Sequence, residues 1–158
     1  MTIEYIQHDL TTVNHGIVAH GCNCQGKMGA GVALAIRKKW PMAYFEYVDR
    51  VHNKGASRAS LLGECQLITI RDDSISFLAV ANCFTQVYYG REVKRYADPA
   101  AIYTSLKMVM EYASVRDVPL YMSRIGCSLG GLTWETDVEP LIVHLDNYFD
   151  RTIFVCDI

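Results

Sequence analysis

Two glycine-rich segments, each set between an apolar strand pattern and a helical pattern, constrain the fold of this chain most strongly. The first covers residues 21–31 and follows the apolar run 16–20; the second covers residues 126–132 and follows the run 118–122. In open α/β sheets, ligands bind beyond the carboxyl ends of the strands. Glycines there let backbone N–H groups approach phosphate oxygens, and the next helix N-terminus favours negative charge. The two loops predict a phosphate site, with simple tight turns as the alternative.

Strand and helix patterns alternate along the rest of the chain. Further strands are predicted over residues 2–7, 64–70, 76–84 and 152–156. A core-facing stripe follows Asp98 and Pro99, which together form an N-cap and first helical position. A capping box over residues 136–139 predicts the start of another helix. This alternation favours an α/β fold with a mostly parallel sheet.

Length and composition limit the number of domains and the classes of function that this chain can have. With 158 residues, 51% of them hydrophobic, and no linker or repeat, the chain is expected to form one domain over residues 1–158. The net charge of −2 argues against a nucleic-acid-binding role. No export signal or membrane-length apolar run is present, so we expect a cytoplasmic protein with reduced cysteines and no membrane partner. The six cysteines lack metal-finger spacing, and neither a metal nor a cofactor is expected.

The first glycine-rich loop nearly matches a nucleotide-binding P-loop. Residues 21–27 fit G-x-x-x-x-G-K, but Met28 stands where the motif needs a hydroxyl to hold Mg²⁺. A dinucleotide-binding G-x-G-x-x-G is also absent, because Gly29 and Gly31 are not followed by a third glycine at that spacing. An NTPase is therefore the least favoured alternative.

Both loops together resemble the ligand loops of macrodomains. Residues 20–33, HGCNCQGKMGAGVA, resemble the first, and residues 124–134, RIGCSLGGLTW, resemble the second. The resemblance covers nearly the whole chain and is strongest to the compact branch containing ADP-ribose 1″-phosphate phosphatases and ADP-ribosyl-glutamate hydrolases. It implies a three-layer α/β/α sandwich with a mixed, mostly parallel central sheet, binding ADP-ribose or a derivative as a small-molecule ligand.

The resemblance also implies roles for individual residues. Asp9 would accept a hydrogen bond from the adenine amino group, with the Leu10 N–H beside it; the alternative for Asp9 is an Asx-turn. Asn23 would contact the distal ribose. The remaining predicted ligand contacts, at the diphosphate and distal ribose, are Gly29, Ala30, Gly31, Val32, Ser128, Leu129, Gly130, Gly131 and Leu132.

Catalysis, by the same resemblance, falls to His20, with Asp98 as a helper. A histidine near pKa 6.5 can exchange a proton with a phosphate ester or an attacking water at neutral pH. The alternative for His20 is a buried histidine with a structural role, and the alternative for Asp98 is a helix cap. The implied activity is hydrolysis of ADP-ribose 1″-phosphate to ADP-ribose and phosphate by a phosphoric monoester hydrolase.

Two other functions remain open: a module that only binds ADP-ribose, free or protein-linked, and a hydrolase that removes ADP-ribose from protein or nucleic acid. As aligned, Gln86 and Gly130 stand where the glutamate hydrolases have a lysine and an aspartate. Glutamine cannot supply the amine nucleophile of a lysyl–sugar intermediate, which weakens that activity. Residues 85–91 could fold over the distal ribose, with Arg91 on a terminal phosphate, or form an exposed aromatic surface.

Overall fold

Six strands form one sheet in the computed structural model, which describes residues 3–72, 77–90, 92, 94–149 and 151–157. The strands are β1 (Ile3–Gln7), β2 (Gly16–Asn23), β3 (Cys65–Thr69), β4 (Leu78–Gln86), β5 (Leu120–Met122) and β6 (Ile153–Asp157). Their order is β1-β6-β5-β2-β4-β3, and only β3, at one edge, runs antiparallel to its neighbour. The prediction of a mixed, mostly parallel sheet is confirmed.

Helices cover both faces of this sheet. They are α1 (Gly31–Lys39), α2 (Pro41–Lys54), α3 (Pro99–Arg116) and α4 (Glu139–Phe149), with short 3-10 helices at Leu10–Thr12 and Gly55–Leu61 and a π-helical turn at Trp134–Val138. Side chains alternate across a strand, so Ile17 and Ala19 pack with α3 and α4, while Val18 packs with α1 and the start of α2. The predicted α/β/α sandwich is therefore confirmed.

The longest helix begins where its sequence predicts. The Asp98 carboxylate accepts the N–H of Ala100 at 3.0 Å, and Pro99 occupies the first turn. Apolar residues of the predicted stripe, including Ile102, Leu106 and Val109, are buried against the sheet. Helix α3 thereby fixes the end of the segment that follows β4.

Two of the predicted boundaries that lie beside the glycine-rich loops are wrong. Strand β2 continues past His20 to Asn23, because Gly21 and Cys22 keep pairing with β4 until a bulge between Cys22 and Asn23. The capping box at residues 136–139 does not form; the Asp137 carboxylate instead accepts the N–H of Thr133 at 2.8 Å, ahead of the π-helical turn. In the described part of the chain, no helix combines the length and apolarity needed to span a membrane.

Candidate functional site

A cleft of about 810 Å³ opens at the carboxyl ends of the parallel strands. Both glycine-rich loops line it, together with the segment that follows β4 and the end of β6. The lining includes Leu10, His20, Gly21, Cys22, Asn23, Lys27, Gly29–Ala33, Thr85, Gln86, Tyr89, Gly90, Ser123–Gly130, Cys156 and Asp157. The fold thus brings two loops more than 90 residues apart in sequence to opposite sides of one cavity.

Tyr47 and Asn23 hold the first loop in shape. The buried Tyr47 hydroxyl accepts the N–H groups of Gly26 and Lys27, both at 3.1 Å, and lies 2.7 Å from Asn23 Oδ1 as donor. Asn23 Nδ2 donates to the Lys27 carbonyl at 2.9 Å, and its Oδ1 accepts the Gln25 N–H at 2.9 Å. The Asn23 amide is therefore used inside the loop, and the loop has a fixed conformation without a ligand.

Two glycines of the first loop, Gly29 and Gly31, border open space. A Cβ added to Gly29 or Gly31 would have no heavy atom within 4 Å, and both residues line the cleft. Gly31 has a φ of +59°, which side-chain-bearing residues rarely adopt, and it begins α1. Their backbone is consequently open to close approach by a ligand.

The glycines of the second loop pack against the protein itself. A Cβ on Gly130 would lie 2.6 Å from the Gly126 carbonyl oxygen, and one on Gly131 would overlap the carbonyl oxygen of Lys94. The Gly130 carbonyl accepts the N–H groups of Tyr96 and Ala97, at 2.8 and 3.0 Å. These contacts fasten the loop to the segment that precedes α3.

His20 is buried in a network that fixes its protons. Asn82 Nδ2 donates to the Ala43 carbonyl at 3.1 Å and to Gln66 Oε1 at 3.2 Å, so Asn82 Oδ1 faces His20. His20 Nε2 donates to that oxygen at 2.6 Å, which leaves Nδ1 as the proton acceptor. Burial lowers the pKa of His20 to about 4, although the hydrogen bond with Asn82 acts in the opposite direction. The imidazole is therefore neutral at pH 7.

One ion pair lines the cleft at the carboxyl end of β6. Arg124 donates to Asp157 through Nε at 2.7 Å and Nη2 at 3.0 Å, and its guanidinium lies near the rings of Tyr5 and Trp134. The hydrogen bond from Arg124 lowers the pKa of Asp157. Because each partner neutralises the other, this pair adds little net charge to the cleft.

The structure brings together most of the predicted site residues but not all of them. Those that line the cleft are His20, Leu10, Asn23, Gly29, Ala30, Gly31, Val32, Ser128, Leu129 and Gly130. Gly131 and Leu132 are not lining residues, and neither are the two predicted acids. Asp9 is exposed and accepts from the N–H and hydroxyl of Thr11, and Asp98 caps α3. The roles of all these residues stay predictions, and the predicted contact of Arg91 lies outside the described residues.

Sequence reasoning missed the residues that support the site from a distance. Asn82 lies 62 residues from His20, and Tyr47 lies 24 residues from Asn23. Neither carries a motif, since each contributes a single hydrogen-bonding group to a residue far along the chain. The ion pair of Arg124 with Asp157 had one usable signal: Asp157 directly follows one predicted strand, and Arg124 lies two residues after the end of another.

Comparison with known proteins identifies the family of this chain. The family profile described as Macro domain matches residues 19–140, which include both loops, β5 and the second part of β2. The chain belongs to the macro domain family. A relative from Debaryomyces hansenii named ADP-ribose 1″-phosphate phosphatase is 28% identical over 88% of this chain and 92% of its own. A relative of the same name from Meyerozyma guilliermondii is 31% identical, over 90% and 93%.

Solved macrodomains share the same architecture. A macrodomain protein from Streptomyces coelicolor superposes with a TM-score of 0.80 at 27% identity, over 99% of both chains. Thermosipho africanus DarTG, solved in complex with ADP-ribose, gives a TM-score of 0.75 at 18% identity, over 98% of this macrodomain and 41% of that chain. At such identity the second likeness concerns the fold alone.

Proposed function

We propose that this macrodomain binds ADP-ribose in the cleft and hydrolyses ADP-ribose 1″-phosphate to ADP-ribose and phosphate. The observation that carries the proposal is the pairing of two loops across one cavity, with the backbone at Gly29 and Gly31 open to a ligand. Backbone N–H groups at a helix N-terminus suit a diphosphate. The names of the relatives support the ligand class.

In this proposal His20 acts through its neutral imidazole. Nε2–H is committed to Asn82, so Nδ1 would accept a hydrogen bond from the water that attacks phosphorus. The water oxygen forms the new P–O bond and the bond from phosphorus to the sugar oxygen breaks; of the two water protons, one is transferred to the sugar oxygen and the other stays on the released phosphate. With a pKa near 4, His20 would orient the water more than it would accept its proton. Placement and electrostatic stabilisation would supply most of the rate.

The burial of His20 also favours a second candidate, a module that binds ADP-ribose without turning it over. His20 is only 1% exposed, and the Asp98 carboxylate is engaged in capping α3. A buried weak base and a capping carboxylate would give slow chemistry or none. Binding of ADP-ribose without release of phosphate would identify this second function.

Calorimetric titration tests the binding site. We expect ADP-ribose to bind with micromolar affinity and far more tightly than AMP. Ser128→Glu places a negative charge at the exposed, cleft-lining position of the second loop and should weaken ADP-ribose binding by about 10- to 100-fold through repulsion of the diphosphate. Ser57→Glu makes the same change on the exposed 3-10 helix and serves as the control. Equal effects of the two variants would contradict a diphosphate site at this loop.

Release of inorganic phosphate from ADP-ribose 1″-phosphate tests the chemistry. His20→Gln should slow release while ADP-ribose binding is retained. Asp98→Asn preserves helix capping, because asparagine caps as well as aspartate, and removes only the charge. Unchanged release in the first variant would exclude His20 from the mechanism, and unchanged release in the second would leave Asp98 as a cap. Release of ADP-ribose from modified protein or nucleic acid would instead support the third candidate, for which Gln86 offers no amine.

A further inference from the structure

The order of the strands gives the cleft a direction. Its lining follows the carboxyl ends of β6, β5, β2 and β4, which are successive neighbours in the sheet. Neighbouring strands lie about 4.8 Å apart, so three steps span roughly 14 Å. An extended dinucleotide-like ligand would therefore lie across the strand ends, with one end at β6 and the other at β4.

The two ends of the cleft differ in polarity. At the β6 end, the apolar side chains of Leu10 and Cys156 line the cleft beside the Arg124–Asp157 ion pair, whose two charges offset each other. At the β4 end, the lining includes Asn23, Lys27 and Gln86. A flat base buries more apolar area at the first end, whereas a sugar with its hydroxyls and terminal phosphate fits the second. ADP-ribose would thus place its distal ribose near Lys27.

Charge distinguishes Lys27 from the other lining residues. Among the described residues of the cleft, the side chains that are charged at pH 7 are Lys27, Arg124 and Asp157. The last two form an ion pair with each other. Lys27 is exposed, and no ion pair with it occurs within the described residues. It supplies the net positive charge of the described cleft.

The backbone of Lys27 is held in place before any ligand binds. Its N–H donates to the Tyr47 hydroxyl at 3.1 Å, and its carbonyl accepts from Asn23 Nδ2 at 2.9 Å. Only the side chain must lose freedom when it meets an anion. A phosphomonoester carries about −1.5 to −2 charge at pH 7 and forms short, charge-assisted hydrogen bonds with an ammonium group.

From these observations we infer that Lys27 makes the site selective for ADP-ribose carrying a terminal phosphomonoester over ADP-ribose itself. The inference rests on the proposed function, because it assumes that the cleft holds ADP-ribose. Loop N–H groups bind the diphosphate that both ligands share, and the Lys27 ammonium binds the one group that they do not share.

The test compares two ligands across three variants. Wild type, Lys27→Met, Lys27→Arg and Lys107→Met are assayed for kcat/KM with ADP-ribose 1″-phosphate and for the Kd of ADP-ribose. Lys27→Met should lower kcat/KM by about 10- to 100-fold, mainly through KM, and change the ADP-ribose Kd by less than about threefold. Lys27→Arg keeps the charge and should stay near wild type. Lys107→Met, on the exposed side of α3, should have no effect on either value.

Salt dependence separates a charge effect from a change in loop structure. Added salt should reduce the wild-type kcat/KM for the phosphorylated ligand more steeply than that of Lys27→Met, because an exposed ammonium–phosphate contact is screened. Equal losses for both ligands, or an undiminished preference in Lys27→Met, would overturn the inference. So would an Arg91→Met variant that alone removes the preference.

Measurements on the wild type distinguish failure of the proposed function from failure of the inference about Lys27. If wild type binds neither ligand, the cleft is not an ADP-ribose site. If wild type binds both ligands without turnover, the two Kd values measured by calorimetry replace kcat/KM. A tighter Kd for the phosphorylated ligand that is lost in Lys27→Met would then support the role of Lys27, independently of whether the protein catalyses hydrolysis.

Discussion

The two glycine-rich loops lie on opposite sides of one cleft, yet their glycines serve different needs. In the first loop, a Cβ at Gly29 or Gly31 would meet no heavy atom within 4 Å. In the second, a Cβ at Gly130 would lie 2.6 Å from the Gly126 carbonyl oxygen, and a Cβ at Gly131 would overlap that of Lys94. The first loop therefore leaves room for a ligand at Gly29 and Gly31, whereas the second uses Gly130 and Gly131 to pack against its own chain. A glycine-rich motif alone does not distinguish the two cases.

The largest effect should come from filling the second loop. Gly131→Ala forces a side chain into the Lys94 carbonyl at a φ of +81°, and we expect it to lower the free energy of unfolding by about 4 kcal/mol. Urea denaturation measures this loss. Gly29→Ala adds the same methyl group where space is open and serves as the control. Similar stability of the two variants would abolish the distinction between the loops.

Acid should act on the strand that leads into the first loop. The pKa of His20 is near 4 in the folded protein and near 6.5 in an unfolded chain, so the unfolded state binds more protons between these values. Stability should fall as pH decreases from about 6.5 to about 4, with His20 contributing up to about 3 kcal/mol of that fall.

Denaturation curves collected between pH 7 and pH 4 measure this contribution. His20→Gln should have a flatter pH dependence than wild type, even if its stability at pH 7 is lower. His52→Gln, at the exposed end of α2, is the matched control and should follow the wild-type curve. Parallel curves for wild type and His20→Gln would contradict a neutral buried histidine.

Filling the first loop should affect binding and leave the fold intact. Gly29→Val should weaken ADP-ribose binding by about 10- to 100-fold, which corresponds to about 1.4–2.7 kcal/mol, because its side chain occupies cleft volume. Its free energy of unfolding should change by less than about 1 kcal/mol. Calorimetry and urea denaturation of the same preparation measure both values. A loss of stability without a loss of affinity would reverse the assignment of this loop.

The smallest effect should come from loosening the support of the first loop. Tyr47→Phe leaves the Gly26 N–H without its acceptor and the Lys27 N–H with only the longer bond to Asn23 Oδ1, at 3.4 Å, and should cost about 1–2 kcal/mol of unfolding free energy. ADP-ribose affinity should also decrease, because the loop must then be ordered on binding. Tyr44→Phe removes a hydroxyl from the same helix and is the control for both measurements. Equal effects of the two changes would mean that the Tyr47 hydroxyl does not hold the loop.

Local signals in the sequence predict much of this structure. The Asp98–Pro99 cap and the alternation of strands and helices each depend on near neighbours, and α3 and the sheet form as predicted. Both glycine-rich loops also reach the same edge of the sheet, because each follows a parallel strand. The positions of the loops were predictable for that reason.

Features that depend on distant residues were not predictable. Strand β2 extends to Asn23 because β4 offers hydrogen-bonding partners there. The glycine at position 21 predicted the start of a loop instead, and no local signal indicated the pairing with β4. The capping box at residues 136–139 satisfied a local rule, yet Asp137 binds the Thr133 N–H instead. Whether a glycine faces a ligand or a neighbouring carbonyl also depends on residues such as Lys94, outside its own loop.

The hydrogen bond between His20 and Asn82 limits how this macrodomain can change by mutation. Asn82 accepts a hydrogen bond from His20 and donates one to the Ala43 carbonyl. At this buried position an ionised aspartate could only accept, and leucine could form neither hydrogen bond. A substitution of His20 by a residue that has no donor would likewise leave the Asn82 oxygen without a partner. Single replacements that remove either group are therefore expected to destabilise the fold, so that the two positions constrain each other.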